Sequence, residues 1–447
     1  MPERHNASSP SCENGIPEPA IVQPGGILQG TYRPPGDKSI SHRAVILGAL
    51  AEGVSRFSGF LAAEDCLRTV DFFKALGVPI TVDLGRGEIE ISGGGLHALK
   101  PQEGIREIYL GNSGTSMRLL LGVLAGQPFE MTLTGDVSLS KRPMRRVTVP
   151  LKQMGAQIKG PEQENFAPLR VRGGRLKGIT FENKLASAQV KSALMLAGLY
   201  AEGQTCITEP FASRDHTERF FTAAGADFRR TGDQVVVRKT NRLKPLSLGI
   251  PGDISSAAFF LTAAAMTPGS DLRIENVGMN PLRTGILDVL QRMGASITLH
   301  VEREMPEPVG TIRVQGSRLR GTRIVRAEIP RLIDELPILV IAMALAEGES
   351  LISGAEELRV KETDRIRSMV QNIRAVGGDA DELPDGCILR GVPRFQGGAV
   401  DSFGDHRTAM SFAVAALHSE TPVRISGTGC IATSFPSFFS DLARLRA

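Results

Sequence analysis

The chain has no tryptophan and only three tyrosines in 447 residues. It therefore offers little aromatic surface for stacking bases, and no nucleic-acid partner is expected. No apolar run approaches the roughly 20 residues that a membrane-spanning helix needs, which argues against a membrane protein. The five cysteines, Cys12, Cys66, Cys206, Cys387 and Cys430, are odd in number and scattered, without CxxC or Cys/His spacing. Free thiols in a reducing cytoplasm fit that pattern better than disulfides, and no metal site is expected. Charge is nearly balanced, 52 basic against 48 acidic side chains for a net +4, so local clusters of cations matter more than the total. Residues 1–24, rich in Pro, Ser, Glu and Asn, lack the apolar core of a secretory signal and are read as a disordered leader.

What the chain does have is a run from Pro35 to Ala44, PGDKSISHRA, a tight turn opening a helix with cations and hydroxyls at its start. A helix N-terminus attracts anions because its first amides are unpaired and the macrodipole is positive there. Lys38, Ser39 and Arg43 add to that, and Ser39 and Arg43, four apart, share a helical face. A phosphate-sized ligand is the leading reading; a capped surface helix with solvated charges is the plainer one.

The chain also repeats itself. An Ala/Leu-rich helical stretch followed by a short β-branched run recurs six times, at Leu47–Gly53, Leu120–Gly126, Leu196–Gly203, Phe260–Gly269, Val340–Gly348 and Phe412–Glu420. A second helix, closing on a glycine turn into a strand, recurs out of phase at Gly77, Gly155, Gly225, Gly294 and Gly377. Each unit reads β-α-β-α-β-β. The run Pro251-Gly252-Asp253-Ile254-Ser255 echoes the PGD-x-S frame of the opening motif, with Ile254 where Lys38 stands. Two lobes of three units follow: residues 25–36 with 251–447 form lobe I, and residues 37–250 form lobe II, with a ligand cleft between them.

Other short runs set charge at loop-to-helix junctions. Gly111 to Arg118, GNSGTSMR, is a small-residue turn that lets a ligand approach the backbone at Gly114, or simply a turn. Arg142 precedes Pro143, a residue suited to a first helical position. Ser187-Ala188-Gln189 opens a polar helix start, and Arg214-Asp215-His216-Thr217-Glu218 reads as a capping box with a surface ion pair. Asp334 precedes an Ala/Leu helix, where an N-cap is the frequent role. Lys361 and Arg365, four apart, make a like-charge pair that a bound anion would stabilise, and Arg407 opens the sixth helix. So many cations suit two anionic substrates better than one, and self-repulsion is expected to hold the lobes apart until substrate arrives.

PGDKSISHRA, GNSGTSMR, KRPM, SAQVKS, IDELP, RVKETDR and GDHR, in that order over about 400 residues, resemble the 5-enolpyruvylshikimate-3-phosphate synthases. The resemblance implies an α/β fold, a two-lobed inside-out α/β barrel of six β-α-β-α-β-β units. It implies transfer of the enolpyruvyl group of phosphoenolpyruvate to the 5-hydroxyl of shikimate 3-phosphate, with release of phosphate and without metal or organic cofactor, in the shikimate pathway to chorismate and aromatic amino acids. Carried over by position, Lys38, Ser39, Arg43, Ser187, Ala188, Gln189, Arg214, Asp334 and Lys361 hold shikimate 3-phosphate. Lys38, Gly114, Arg142, Gln189, Arg365 and Arg407 hold phosphoenolpyruvate. Asp334, Glu362 and Lys38 are the implied catalytic groups: Asp334 accepts the hydroxyl proton and Glu362 protonates the methylene carbon.

SAQVK, RPMRR and RDHTE are similar to the second class of that family, whose best-known members tolerate glyphosate. Here Gly114 keeps the place where that class often has Ala, and Thr433 stands where the other class has a phosphoenolpyruvate-contacting Lys. Glyphosate is a candidate inhibitor, and a cytoplasmic monomer is expected. Two rivals stay open: the sister enolpyruvyl transferase acting on UDP-N-acetylglucosamine, and a non-catalytic polyanion-binding module. The first generally has an Asn beside its first Lys and a reactive loop Cys. The second leaves Asp334 and Glu362 unexplained.

Overall fold

Six helices buried on nearly every side form the middle of the molecule. They are Lys38–Leu50, Gly114–Ala125, Ala188–Gly198, Ile254–Met266, Leu336–Leu345 and His406–Ala415. Every residue of Ile254–Met266 is buried, as are all from Ile40 to Leu50. A helix apolar all round has no solvent face and must sit inside. The sequence LPILVIAMAL of Leu336–Leu345 makes the point: each Leu or Ile removed from water contributes about 1.5–3 kcal/mol. A second set of helices, such as Arg145–Met154 and Arg365–Ala375, is buried on one face only and packs outside the first. These elements belong to a computed structural model that describes residues 16–446.

Sheets form the outer layer. Among the described residues five have four strands and one has three. In the sheet containing Glu52–Ser58, Ile80–Asp83 and Glu88–Gly94, the three strands run antiparallel, and Ser247–Gly249 joins in parallel at the edge. The same arrangement recurs around Glu130–Thr134, Gln204–Thr208, Asp271–Gly278 and Glu349–Ile352. Helices inside and sheets outside, in six units, match the architecture expected from the repeat and from the family resemblance. Turn glycines set the spacing: Gly155 ends helix Arg145–Met154 in the left-handed region at φ 111°. Gly122 has another function, since a Cβ there would lie 2.2 Å from the Ala193 carbonyl oxygen of the neighbouring central helix.

Two hydrophobic cores result. One runs from Ile40 to Ile250, and the other joins Ile16, Ala20, Val22, Leu28 and Tyr32 to residues from Ile254 to Leu445. The chain passes between them twice, and the two passages grip each other. Asp37 N–H donates to the Pro251 carbonyl and Asp253 N–H to the Pro35 carbonyl, both at 2.8 Å, so the two PGD turns are reciprocal.

The leader expected over 1–24 needs correction where it is described. Ala20–Val22 is a strand, antiparallel to Val423–Ser426, and it completes the three-stranded sheet. Glu18 accepts from Gly427 N–H at 2.8 Å and from Thr428 Oγ1 at 2.9 Å. The polar composition concealed an alternation in which Ala20 and Val22 turn inward and Ile21 outward, enough to pair with an open sheet edge. The rest of that segment, residues 1–15, lies outside the described residues, as does Cys12. The other four cysteines carry free thiols.

Candidate active site

The N-termini of all six central helices contribute to the wall of one cavity between the two cores. Lys38 and Ser39, Gly114 and Thr115, Ala188 and Gln189, Asp253, Asp334, and His406 with Arg407 lie at or just before those six helix starts, and all line a space of about 200 Å³. Convergent helix dipoles and unpaired amides favour negative charge there before any side chain is counted. Asp37 accepts from Ile40 N–H at 2.9 Å, Ser113 from Ser116 N–H at 3.2 Å and Asp405 from Arg407 N–H at 2.8 Å. These caps anchor the loops that present Lys38, Gly114 and Arg407.

Arg142, Ser187, Arg214, Lys361, Glu362 and Arg365 complete the wall, so every predicted site residue but one faces the same cavity. The exception is Arg43. Its guanidinium is buried behind the wall, donating to the Ser39 carbonyl at 2.8 Å, Thr217 Oγ1 at 2.8 Å and Ser192 Oγ at 2.7 Å. Ser39 and Arg43 share a helical face as the spacing requires, but only the first turn reaches the cavity. A second cavity, of about 870 Å³, shares Asp65, Arg142, Lys361, Glu362 and His406 with the first and gives the site another mouth.

The cations do not stand unopposed. Arg214 Nη2 lies 2.6 Å from Asp334 Oδ2 and Arg142 Nη1 3.3 Å from Glu362 Oε1, each pair spanning the two walls. Arg146 and Glu357 close the rim at 2.7 Å. The expected repulsion is offset here, because the guanidinia of Arg142, Arg146 and Arg214 meet the carboxylates of Glu362, Glu357 and Asp334. Arg365 is held by three acids: Asp405 at 2.6 Å, Glu362 at 2.7 Å and Asp334 at 3.6 Å. Lys38 Nζ lies 3.0 Å from Asp65 Oδ2.

Burial pushes the Asp334 carboxyl up, but Arg214, Arg407, Lys361 and Arg365 outweigh it and hold the group well below the usual carboxylate range. Glu362 behaves alike: burial raises it, and Arg365 and Arg142 lead the cations that keep it well below that range. Lys38 is disfavoured as a cation by burial and by Arg407, yet Asp65 and Glu362 together more than restore it and its pKa is raised. His406 is depressed well below the usual imidazole value by burial and by Lys38 and Arg407, so it is neutral near pH 7. Two ionised acids set among cations suit a reaction that moves protons on an anionic substrate.

Local readings change in four places. Asp334 is not an N-cap: Glu335 holds that position, and Asp334 turns its side chain to the arginines. Pro143 precedes helix Arg145–Met154 instead of opening it. Lys361 lies outside helix Arg365–Ala375, so the like-charge pair meets in the cavity and not along one helix. His216 and Glu218 are buried, not a surface ion pair, and Asp215 makes no capping bond.

Sequence reasoning left out Asp65, Arg118, Asp253 and Arg283. Arg118 Nη1 donates to Gln189 Oε1 at 2.6 Å and so orients a predicted ligand-binding amide. Arg118 and Asp253 stand inside runs that attract notice for other reasons, GNSGTSMR and the PGD echo. Asp65 opens an ordinary amphipathic helix, Glu64–Ala75, and only its place opposite Lys38 marks it.

The sequence profile of the family described as EPSP synthase (3-phosphoshikimate 1-carboxyvinyltransferase) matches residues 22–442. The 3-phosphoshikimate 1-carboxyvinyltransferase of Methylococcus capsulatus is 54% identical over 423 residues, 94% of this chain and 95% of that one. The protein of the same name from Pelobacter propionicus is 51% identical over 427 residues, covering 95% and 98%. Among solved structures, EPSP synthase from Acinetobacter baumannii superposes with a TM-score of 0.83 at 44% identity, covering 95% of this chain and 97% of that one. The enolpyruvyl transferase NikO from Streptomyces tendae shares the fold alone, with a TM-score of 0.77 at 16% identity and coverage of 96% and 98%. With near full-length identity of this degree on top of the six-unit fold and the paired acids of the cleft, the chain belongs to the EPSP synthase (3-phosphoshikimate 1-carboxyvinyltransferase) family.

Proposed function

We infer that this chain transfers the enolpyruvyl group of phosphoenolpyruvate to the 5-hydroxyl of shikimate 3-phosphate, giving 5-enolpyruvylshikimate 3-phosphate and phosphate. The observation that carries this reading is the placement of two carboxylates, Asp334 and Glu362, both bound to Arg365, in a cleft that also presents Lys38, Arg142, Arg214, Lys361 and Arg407. A polyanion-binding module has no use for two acids at its centre.

In the assignment we favour, Lys38, Ser39, Ser187, Ala188, Gln189, Arg214, Asp334 and Lys361 hold shikimate 3-phosphate, with Arg43 acting from beneath Ser39. Lys38, Gly114, Arg142, Gln189, Arg365 and Arg407 hold phosphoenolpyruvate. Asp334, already a carboxylate, takes the 5-hydroxyl proton as the oxygen attacks C2 of phosphoenolpyruvate, while Glu362 delivers a proton to C3. In the second half-reaction Glu362 takes a proton back from the new methyl group, the C–O bond to phosphate breaks, and phosphate departs with the proton that Asp334 had taken. Lys38 neutralises charge on the bridging oxygen.

Glu362 must be protonated to act as the acid, although the protein's own cations favour its ionised form. Arg142 and Arg365, its chief partners, are the groups assigned to phosphoenolpyruvate. A bound substrate carboxylate and phosphate neutralise them, burial then dominates, and the pKa of Glu362 rises toward the value its role requires. Binding of the donor thus arms the acid.

The reading extends to a monomer working in the cytoplasm and to glyphosate as a ligand of the phosphoenolpyruvate seat. The lobes, taken as 25–36 with 251–447 and 37–250, would separate by rupture of the Arg214–Asp334, Arg142–Glu362 and Arg146–Glu357 pairs to admit substrate. The deciding experiment measures phosphate release from phosphoenolpyruvate with shikimate 3-phosphate and, separately, with UDP-N-acetylglucosamine. Release with the first acceptor alone is expected; release with neither would end the enzyme reading.

A further inference from the structure

Lys191 lies in the SAQVKS run but does not touch the cavity. Its side chain is fully buried, with Nζ 2.9 Å from Glu209 Oε2 and 2.8 Å from Glu218 Oε1, and it donates to the Ser213 carbonyl at 3.2 Å. A fully buried lysine is rare unless paired, and this one joins three segments of chain.

Glu209 is the hub. Its Oε1 accepts from Asn183 Nδ2 at 2.8 Å and from Ser213 Oγ at 2.6 Å, and its Oε2 accepts from Ser213 N–H at 3.3 Å. Asn183 in turn grips Ser187 at both ends: its Nδ2 donates to the Ser187 carbonyl at 3.0 Å and its Oδ1 accepts from the Ser187 N–H at 3.3 Å. Ser187 and Arg214 therefore hang from one buried carboxylate, Ser187 through Asn183 and Arg214 through the adjacent Ser213.

The loop so held carries backbone strain. Ala186, a non-glycine residue beside Ser187, sits at φ 47° in the left-handed region. Such a conformation persists only where surrounding bonds over-determine it. Asn183 supplies them, also accepting the Ala186 N–H on its own carbonyl at 2.9 Å.

We propose that Lys191, through its ion pairs with Glu209 and Glu218, is a positioning residue that sets Ser187 and Arg214 at the geometry needed to bind the phosphorylated acceptor. The proposal rests on the assignment of those two residues to shikimate 3-phosphate. Lys191 acts chiefly on the acceptor side: Arg142, Arg365 and Arg407 of the donor set hang from other elements, and Gln189, assigned to both substrates, is held instead by Arg118 at 2.6 Å and Thr115 at 3.0 Å.

The test compares wild type with Lys191→Met, Glu209→Gln and Asn183→Ala, the last two guarding against misfolding of the first. In each folded variant KM for shikimate 3-phosphate is expected to rise about tenfold or more, since small misplacements of binding groups are costly, with KM for phosphoenolpyruvate changed less than about twofold. Amide hydrogen exchange is expected to quicken in residues 183–187 and 209–214 while the helix Gly114–Ala125 stays protected. Folded variants with an unchanged acceptor KM, or with both KM values raised alike, overturn the positioning role and leave the enzyme reading standing. Failure of the wild type itself to release phosphate overturns the reading and the positioning role together.

Discussion

Asp37 and Asp253 cap corresponding helices in the two halves of the molecule and share one guanidinium, with Arg283 Nη2 2.9 Å from Asp253 and 3.6 Å from Asp37. All three are buried where the chain crosses twice between cores. Burial and the neighbouring Asp253 push Asp37 up; burial also raises Asp253, but Arg283, Arg407 and the backbone N–H groups of Lys38 and Ser255 together hold it down. Arg283→Met should leave two buried acids without their cation and cost about 3–5 kcal/mol of stability, read from urea unfolding. Asp37→Asn should cost far less, because that acid is already the harder of the two to ionise. Equal losses from the two substitutions would contradict this division of charge.

Asp334→Asn and Glu362→Gln are expected to lower kcat by about 10²–10⁴-fold each, the range for loss of a positioned acid or base. Calorimetric binding of shikimate 3-phosphate should survive in Glu362→Gln. Loss of that binding would make Glu362 a structural residue.

Lys38→Ala should impair both binding and turnover, since Lys38 is assigned to both substrates. Asp65→Asn removes the partner that sustains its charge and should reproduce part of the defect, seen as an activity loss that grows toward alkaline pH. A flat alkaline limb in Asp65→Asn would detach Asp65 from Lys38 function.

A Cβ on Gly114 would stand 3.0 Å from Arg142 Nη1 and 3.2 Å from Arg118 Nη1. Gly114→Ala must shift one guanidinium by a few tenths of an ångström. It is expected to raise KM for phosphoenolpyruvate and the glyphosate concentration giving half inhibition, with KM for shikimate 3-phosphate unchanged. Identical kinetics in the variant would place the donor seat elsewhere.

Asp334 and Glu362 have depressed pKa values in the folded chain. Their unfolded values are about 3.9 and 4.3, so in acid the unfolded chain binds more protons and stability rises with pH. Their contribution is present above about pH 4 and is lost as pH falls through the folded values. Glu362→Gln should therefore flatten the acid limb of urea midpoint against pH. An acid limb as steep as that of wild type would show that Glu362 is not paired in solution.

Much of this is legible in the sequence. The six repeats, the inward-facing Ala/Leu helices and the run PGDKSISHRA are local patterns, written at helical period with caps and glycines that act within a few residues. Cavity-facing residues close to helix starts were likewise visible, because an anion site at an N-terminus has a local signature. Asp65 was not, since an acid in the first turn of an amphipathic helix looks the same whether it faces water or Lys38. The strand Ala20–Val22 was hidden too, for its partner Val423–Ser426 lies four hundred residues away.

By itself, then, the sequence determined the period, the central helices and the set of charged groups that a helix start can offer a ligand, all short-range consequences of side-chain order. Tertiary structure alone decided which charge faces which: that Arg214 meets Asp334 and Arg142 meets Glu362 across the cleft, and that Arg43 serves from behind Ser39. Coulomb energy and desolvation depend on distances through space and on burial, and neither is a function of separation along the chain.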